Sequence, residues 1–205
     1  MDNYIHNVSG VKSIGELTSL LCGIGLQYDD RKLYGKYQCY MNAPGRGGLW
    51  QDPEELATFL WEAKNIFKGM TSYLDIGTFN GFTTCVIVEF LKAHVNKDIR
   101  VKTVDPCNHI HPSVLEYVYP YYSQGTVDDI GDETYDIVFI DGDHSEPGPM
   151  HDFEKVKSFA KVVFFHDISD NYCPYVIKTF KELSKQYTSW GVTQNRFGIG
   201  YIILP

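Results

Sequence analysis

Positive charge is scarce in this sequence: 18 lysines and arginines stand against 26 aspartates and glutamates, a formal net charge of −8. Such a field repels phosphate backbones, and no Lys/Arg run offers a local exception, so no nucleic-acid partner is expected. The pair Arg31-Lys32 reads as part of a solvated face. The five cysteines (Cys22, Cys39, Cys85, Cys107, Cys173) are odd in number and contain no C-x-x-C pair, which argues against a disulfide framework or a zinc cluster and for a reducing compartment. The opening MDNYIHNVSG lacks the basic stretch and apolar run of a signal peptide, and nowhere do about 18 apolar residues follow one another. A cytoplasmic protein with no membrane partner is expected. Also missing are the G-x-G-x-x-G spacing of dinucleotide sites and the G-K-[ST] of phosphate loops.

What is present suffices for one domain with a sizeable core: 205 residues, 43% hydrophobic, with 15 Tyr and 12 Phe. Texture changes near residue 50, after the loop-like stretch Ala43-Pro-Gly-Arg-Gly-Gly48. Residues 1–50 read as an N-terminal cap, with a short helix within residues 11–26 and an irregular, Tyr-rich stretch, YDDRKLYGKYQCYMN, that would suit a homodimer contact. Residues 51–205 read as the main domain. Asp52-Pro53-Glu54-Glu55 supplies an N-cap, a proline at the first helical position and first-turn acids, predicting a helix to about Lys68. Strand-length apolar runs follow at Ser72 to Ile76, Ile99 to Val104, Tyr135 to Ile140 and Lys161 to Phe165, with helix-length stretches such as Phe82 to Ala93 and Met150 to Ala160 between them. Thr188 to Gln194 and Arg196 to Leu204 read as a closing pair of strands. Alternation of this kind signals an α/β fold with a parallel sheet buried on both faces, whose ligands sit at the carboxyl ends of the strands.

Those ends carry the chemistry. The first run leads through Asp75 into Gly77-Thr78-Phe79-Asn80-Gly81 and then a helix. Glycines spaced G-x-x-x-G at a strand-to-helix turn let a nucleotide-like ligand approach the backbone, or serve only a tight turn. The second run ends in Asp105-Pro106, a carboxylate placed for ribose hydroxyls, or a turn opener. The third and fourth end in Asp141-Gly-Asp143-His144 and His166-Asp167. Converging acids and imidazoles could bind a hard cation, remove a proton, or do both; the alternative is that the acids cap the following helices and the histidines are solvated.

Together these motifs resemble the class I S-adenosylmethionine-dependent methyltransferases, in particular the group of catechol O-methyltransferase-like and macrocin- and cephalosporin-type small-molecule enzymes, over roughly residues 50 to 205. The most specific part is FIDGDHS followed by an acidic helix and FFHD. The resemblance implies a doubly wound, Rossmann-like, seven-stranded sheet of order 3-2-1-4-5-7-6 with a C-terminal antiparallel hairpin. It implies S-adenosylmethionine held by Asp75, Gly77, Thr78, Phe79, Asn80, Gly81, Asp105 and Asp141, with Ser123 and Gln124, after the third strand, beside the adenine. It implies O-methylation of a small sugar, polyol or phenolic acceptor, with Trp50, Gln51 and the Tyr-rich stretch over the acceptor pocket. Asp141 and Asp167 align with two ligands of Mg2+ or another divalent cation, and His144 falls where the catechol type has its catalytic lysine, leaving Asp141 and His144 as the catalytic pair. The third metal ligand, an amide, is replaced by Ile168. His166 is the expected substitute, although neighbours on an extended strand point oppositely, and Asp143 is another. Two further readings stand beside this one: a catalytically silent cofactor-binding module, suggested by Ile168, and a nicotinamide-dependent oxidoreductase on a similar fold.

Overall fold

Four short strands whose side chains are almost all buried form the centre of the protein, seen in a computed structural model that describes residues 5, 7–26, 47–193, 195 and 197–205. In chain order the strands are β1 (Ser72–Ile76), β2 (Arg100–Asp105), β3 (Tyr122–Gln124), β4 (Ile137–Ile140), β5 (Val162–His166), β6 (Thr188–Val192) and β7 (Ile199–Ile203), and the sheet runs β3-β2-β1-β4-β5-β7-β6. The first five strands pair in parallel, while β7 is antiparallel to both β5 and β6. This is the order implied by the resemblance. The helices are α1 (Ile14–Ile24), α2 (Pro53–Ala63), α3 (Phe82–His94), α4 (Leu115–Val118), α5 (Gly148–Val156) and α6 (Pro174–Leu183).

Strand alternation divides the core between the two faces. Tyr73, Phe139 and Phe164 join one cluster with side chains of α1, α2 and α3, where Phe139 and Phe164 stack at 4.5 Å. Leu74, Val138 and Val163 point the other way, against α5 and α6. Val8, Leu17 and Leu21, from the segment expected to be a cap, are fully buried in the first cluster.

Several boundaries differ from expectation. The α2 helix starts as predicted, with Asp52 accepting the amides of Glu54 and Glu55, but stops at Ala63 rather than Lys68. The amides of Ile66 and Phe67 both turn back to Ala63 O, a turn that drops Phe67 into the core beside Phe59. β3 has no apolar run to announce it: it has three residues at the sheet edge, none of them buried. The last hairpin is shorter than predicted because the chain between β6 and β7 bonds elsewhere. Glu55, fully buried, accepts the amides of Asn195 and Gly198, each at 2.9 Å. Gln194, Arg196, Cys39, Arg31-Lys32 and the Tyr-rich stretch lie outside the described residues. Among those described, no helix is long and apolar enough to cross a membrane.

Removing the Glu55 carboxylate would orphan two backbone donors, at about 1–3 kcal/mol each when buried. Glu55→Ala is therefore expected to lower the unfolding free energy by about 2–6 kcal/mol in urea titrations; a loss within the error of the wild-type value would contradict this anchoring role.

Candidate active site

The carboxyl ends of β2, β1, β4 and β5 open into a cavity of about 680 Å3, a volume suited to a cofactor with its small substrate. Its floor is the turn after β1. Gly77 has φ +104°, and a Cβ there would lie 2.2 Å from the carbonyl oxygen of Asp141, so only glycine fits where this turn meets the loop after β4. The amides of Gly77 and Thr78 donate to Val104 O at 2.9 and 3.3 Å, which ties the turn to β2. Beneath it runs a buried chain of hydroxyls: Thr78 Oγ1 lies 2.6 Å from Thr103 Oγ1, which donates to Asp75 Oδ2 at 2.8 Å, and Thr84 Oγ1 donates to the same carboxylate. Asp75 is buried below the turn and lies outside the cavity wall. Its role is to hold β1, β2 and α3 together. Asn80 Oδ1 accepts the amide of Phe82 at 3.1 Å and Asn80 Nδ2 donates to Gly48 O at 2.7 Å, fixing Gly81 and the start of α3 against the segment before α2. Phe79, with φ +45°, is exposed beside the cavity and meets Trp50 edge-on at 5.9 Å.

Asp105 occupies the end of β2 and lines the cavity. Its Oδ2 accepts the amide of Phe79 and its Oδ1 that of Cys107, both at 2.8 Å, so it shapes the turn while its carboxylate keeps lone pairs to spare at the cavity wall. Ser123 and Gln124 do not reach the cavity. They form the exposed end of β3 itself rather than following it, and Gln124 Nε2 donates outward of the wall to Pro106 O at 3.0 Å. Gly125, Thr126 and Val127 line the cavity in their place.

At the other end, four groups converge. Asp141 Oδ1 lies 3.2 Å from His166 Nδ1 and 3.4 Å from His144 Nε2, and its Oδ2 accepts from Gln51 Nε2 at 2.8 Å. His166 Nδ1 is also 3.3 Å from Asp167 Oδ1, and His144 Nε2 is 3.5 Å from Asp167 Oδ2. The expectation that His166 and Asp167 face opposite ways is corrected here: Asp167 has φ +61°, which breaks the strand's alternation and brings both side chains to one site. Neither acid serves as a helix cap, since Pro147 and Cys173 are the N-caps of α5 and α6 and neither helix has a side-chain cap. Burial opposes charge on Asp141, yet His166 and His144 hold its carboxyl well below the usual range. Burial likewise opposes protonation of His166, but Asp141 and Asp167 raise it well above the ordinary imidazole value. Pairing with Asp141 raises His144 too, against burial.

Ligand atoms of Asp141, His166 and Asp167 lie within 4.8 Å of one another, as do those of His144, Asp167 and Cys173. Mg2+ prefers an all-oxygen octahedron, whereas imidazole among carboxylates, with a thiol alongside, suits a borderline cation such as Mn2+, Fe2+ or Zn2+. The residues therefore do not fit a magnesium-specific centre. Asp143 belongs to neither set; its Oδ1 accepts the amide of Ser145 at 2.8 Å. Ile168 is buried in apolar surroundings beside Gly191 and Gly200. Sequence reasoning missed Thr83, whose hydroxyl donates to Gln51; Cys173, 3.5 Å from His144 Nδ1 and from Asp167 Oδ2; and Asp152, inside α5. No motif spacing marks them.

The sheet order, the glycine turn after β1 and the acid ending β2 define the class I S-adenosylmethionine-dependent methyltransferase fold. A family model described as a methyltransferase domain matches residues 74–168. Solved structures agree at the level of fold. A Staphylococcus aureus protein described as a caffeoyl-CoA O-methyltransferase is 16% identical, with TM-score 0.53, over 96% of this chain and 95% of its own. A Podospora anserina methyltransferase bound to S-adenosylhomocysteine is 11% identical, with TM-score 0.56, over 93% and 94%. A Pyrococcus horikoshii protein described as an RNA methyltransferase is 12% identical, with TM-score 0.58, over 94% and 98%. A search of curated proteins finds no sequence match. Nearly half of the chain thus matches a methyltransferase-domain model, and its fold is the one found in S-adenosylmethionine-dependent methyltransferases.

Burial raises the Asp75 carboxyl from its ordinary 3.8 to about 7, with the Thr84 and Thr103 hydroxyls only partly offsetting it. An acid raised on folding favours the native state while protonated, so its contribution is full below pH 3.8 and is lost as pH rises through about 7. Thermal melts should show wild type losing stability across that window and Asp75→Asn losing less; parallel pH profiles would contradict the assignment.

Proposed function

We propose that this methyltransferase transfers the sulfonium methyl of S-adenosylmethionine to a hydroxyl of a small sugar, polyol or phenolic acceptor, with His144 as the base. The observation that carries this reading is the position of His144 Nε2 at the cavity wall, within 3.5 Å of both Asp141 and Asp167, two strands away from the ribose-ready Asp105. The cofactor spans the Gly77 turn between them, with Asp105 on the ribose. Methyl transfer is an in-line displacement whose rate depends on holding oxygen and methyl close and aligned. The imidazole takes the hydroxyl proton, and the two carboxylates stabilise the imidazolium so formed. Asp141, His166 and Asp167 are the residues that would hold a divalent cation, which when bound lowers the pKa of the acceptor hydroxyl. A net charge of −8 speaks against the RNA substrate named for the Pyrococcus horikoshii protein.

Radiolabelled methyl transfer from S-adenosylmethionine is the test, over a panel of catechols, sugars, polyols and structured RNAs. Label is expected in a small hydroxyl compound, reduced by chelation and restored better by Mn2+ than by Mg2+. His144→Gln should cut the rate by about 10²–10⁴ while S-adenosylhomocysteine binds as in wild type. Labelled RNA with unlabelled small molecules would overturn the acceptor assignment, and full activity of His144→Gln would overturn the base. Cofactor binding with no transfer to any acceptor would favour the silent module.

A further inference from the structure

Asp167 divides its carboxylate between two groups of side chains. Its Oδ1 lies 3.3 Å from His166 Nδ1, which Asp141 also meets, whereas its Oδ2 lies 3.5 Å from His144 Nε2 and 3.5 Å from Cys173 Sγ. Cys173 Sγ is in turn 3.5 Å from His144 Nδ1. The second group therefore closes on itself in the cavity wall: a thiol, an imidazole and a carboxylate oxygen, each within reach of the other two. They come from the loop after β4, the residue after β5 and the N-cap of α6, so only the fold brings them together.

Their spacing is that of ligands around one ion. Bonds of about 2.3 Å to sulfur and about 2.0–2.2 Å to nitrogen and oxygen, at tetrahedral angles, put ligand atoms about 3.4–3.6 Å apart. His144 Nε2 is buried with no hydrogen-bond partner of its own, its two carboxylate neighbours lying at 3.4 and 3.5 Å. Burial and Asp167 push the Cys173 thiol up to about 12, so it is no nucleophile by itself. A cation reverses that, because a coordinated thiol is deprotonated outright. Thiolate with imidazole favours Zn2+ over Mn2+ or Mg2+, and three protein ligands leave a fourth tetrahedral position for water.

We propose that His144, Asp167 and Cys173 form a second cation site that takes Zn2+, separate from the one at Asp141, His166 and Asp167, and that Zn2+ bound there inhibits methyl transfer. A neutral imidazole has one nitrogen lone pair to give, so coordination through either nitrogen leaves His144 none for a proton. The inhibition rests on the role of His144 as the base; the site itself does not.

Co2+ is the probe, since it adopts the geometries of Zn2+ and its thiolate complexes absorb in the near ultraviolet. Titration of the metal-free full chain is expected to give a thiolate-to-Co2+ charge-transfer band that saturates at one equivalent and is erased by Zn2+ but not by excess Mg2+. Cys173→Ser should abolish the band. Cys107→Ser, which removes the exposed thiol, and Asp141→Asn, which disables the other group, should both keep it. No band in wild type, or a band that survives Cys173→Ser, would overturn the site, as would its loss in an Asp141→Asn variant that melts like wild type. Methyl transfer is read separately and should fall at the Zn2+ concentration that erases the band. A band with transfer indifferent to Zn2+ would overturn the inhibition and the base assigned to His144, a result distinct from a missing band.

Discussion

The buried carboxylate of Asp141 is the constraint around which the site is arranged. A charge removed from water must be met by partners or forfeited by protonation. Here Gln51 and His166 meet it through hydrogen bonds, and His144 Nε2 lies 3.4 Å away. Gln51 also takes the hydroxyl of Thr83 in the first turn of α3, so the segment before α2, the helix after β1 and the ends of β4 and β5 are linked through two side chains, Gln51 and Asp141. The Asp141 backbone contributes as well. Its carbonyl occupies the space a Cβ on Gly77 would need, and its amide donates to Ile76 O at 2.9 Å. The loop that carries His144 is thus built directly against the Gly77 turn, the closeness that the proposed alignment-governed transfer would require.

Asp167 gives the site its second unusual feature. A left-handed backbone at a non-glycine residue costs energy and persists only where the surroundings impose it. At Asp167 it lets the last residue of β5 and the first beyond it address the same point, so His166 is placed between two carboxylates that would otherwise repel each other. The imidazoles and a cation at Asp141 and Asp167 would then compete for the same carboxylate lone pairs.

Much of the fold was legible because buried parallel strands write themselves as apolar runs: the predicted Ser72 to Ile76 run is β1 without adjustment, and β2, β4 and β5 differ from prediction by a residue or two. The runs are visible because burial on both faces removes polar residues from the pattern. β3 was invisible for the converse reason, being an edge strand with exposed side chains. Positions fixed by strand ends were also readable, which is why Asp105, Asp141, His144, His166 and Asp167 reach the cavity. Ser123 and Gln124, carried over by resemblance alone, do not, because nothing local aims them inward. Cys173 and Asp152 come into the site through the packing of α5 and α6, and no linear spacing encodes that.

The central claim is that this cavity receives a phosphate-free adenosyl sulfonium. It is tested most directly by calorimetric titration of the purified protein with S-adenosylhomocysteine and, separately, with NAD. The account predicts saturable one-to-one binding of S-adenosylhomocysteine and no heat with NAD. Preference for NAD, or no binding of S-adenosylhomocysteine at millimolar concentration, would contradict it.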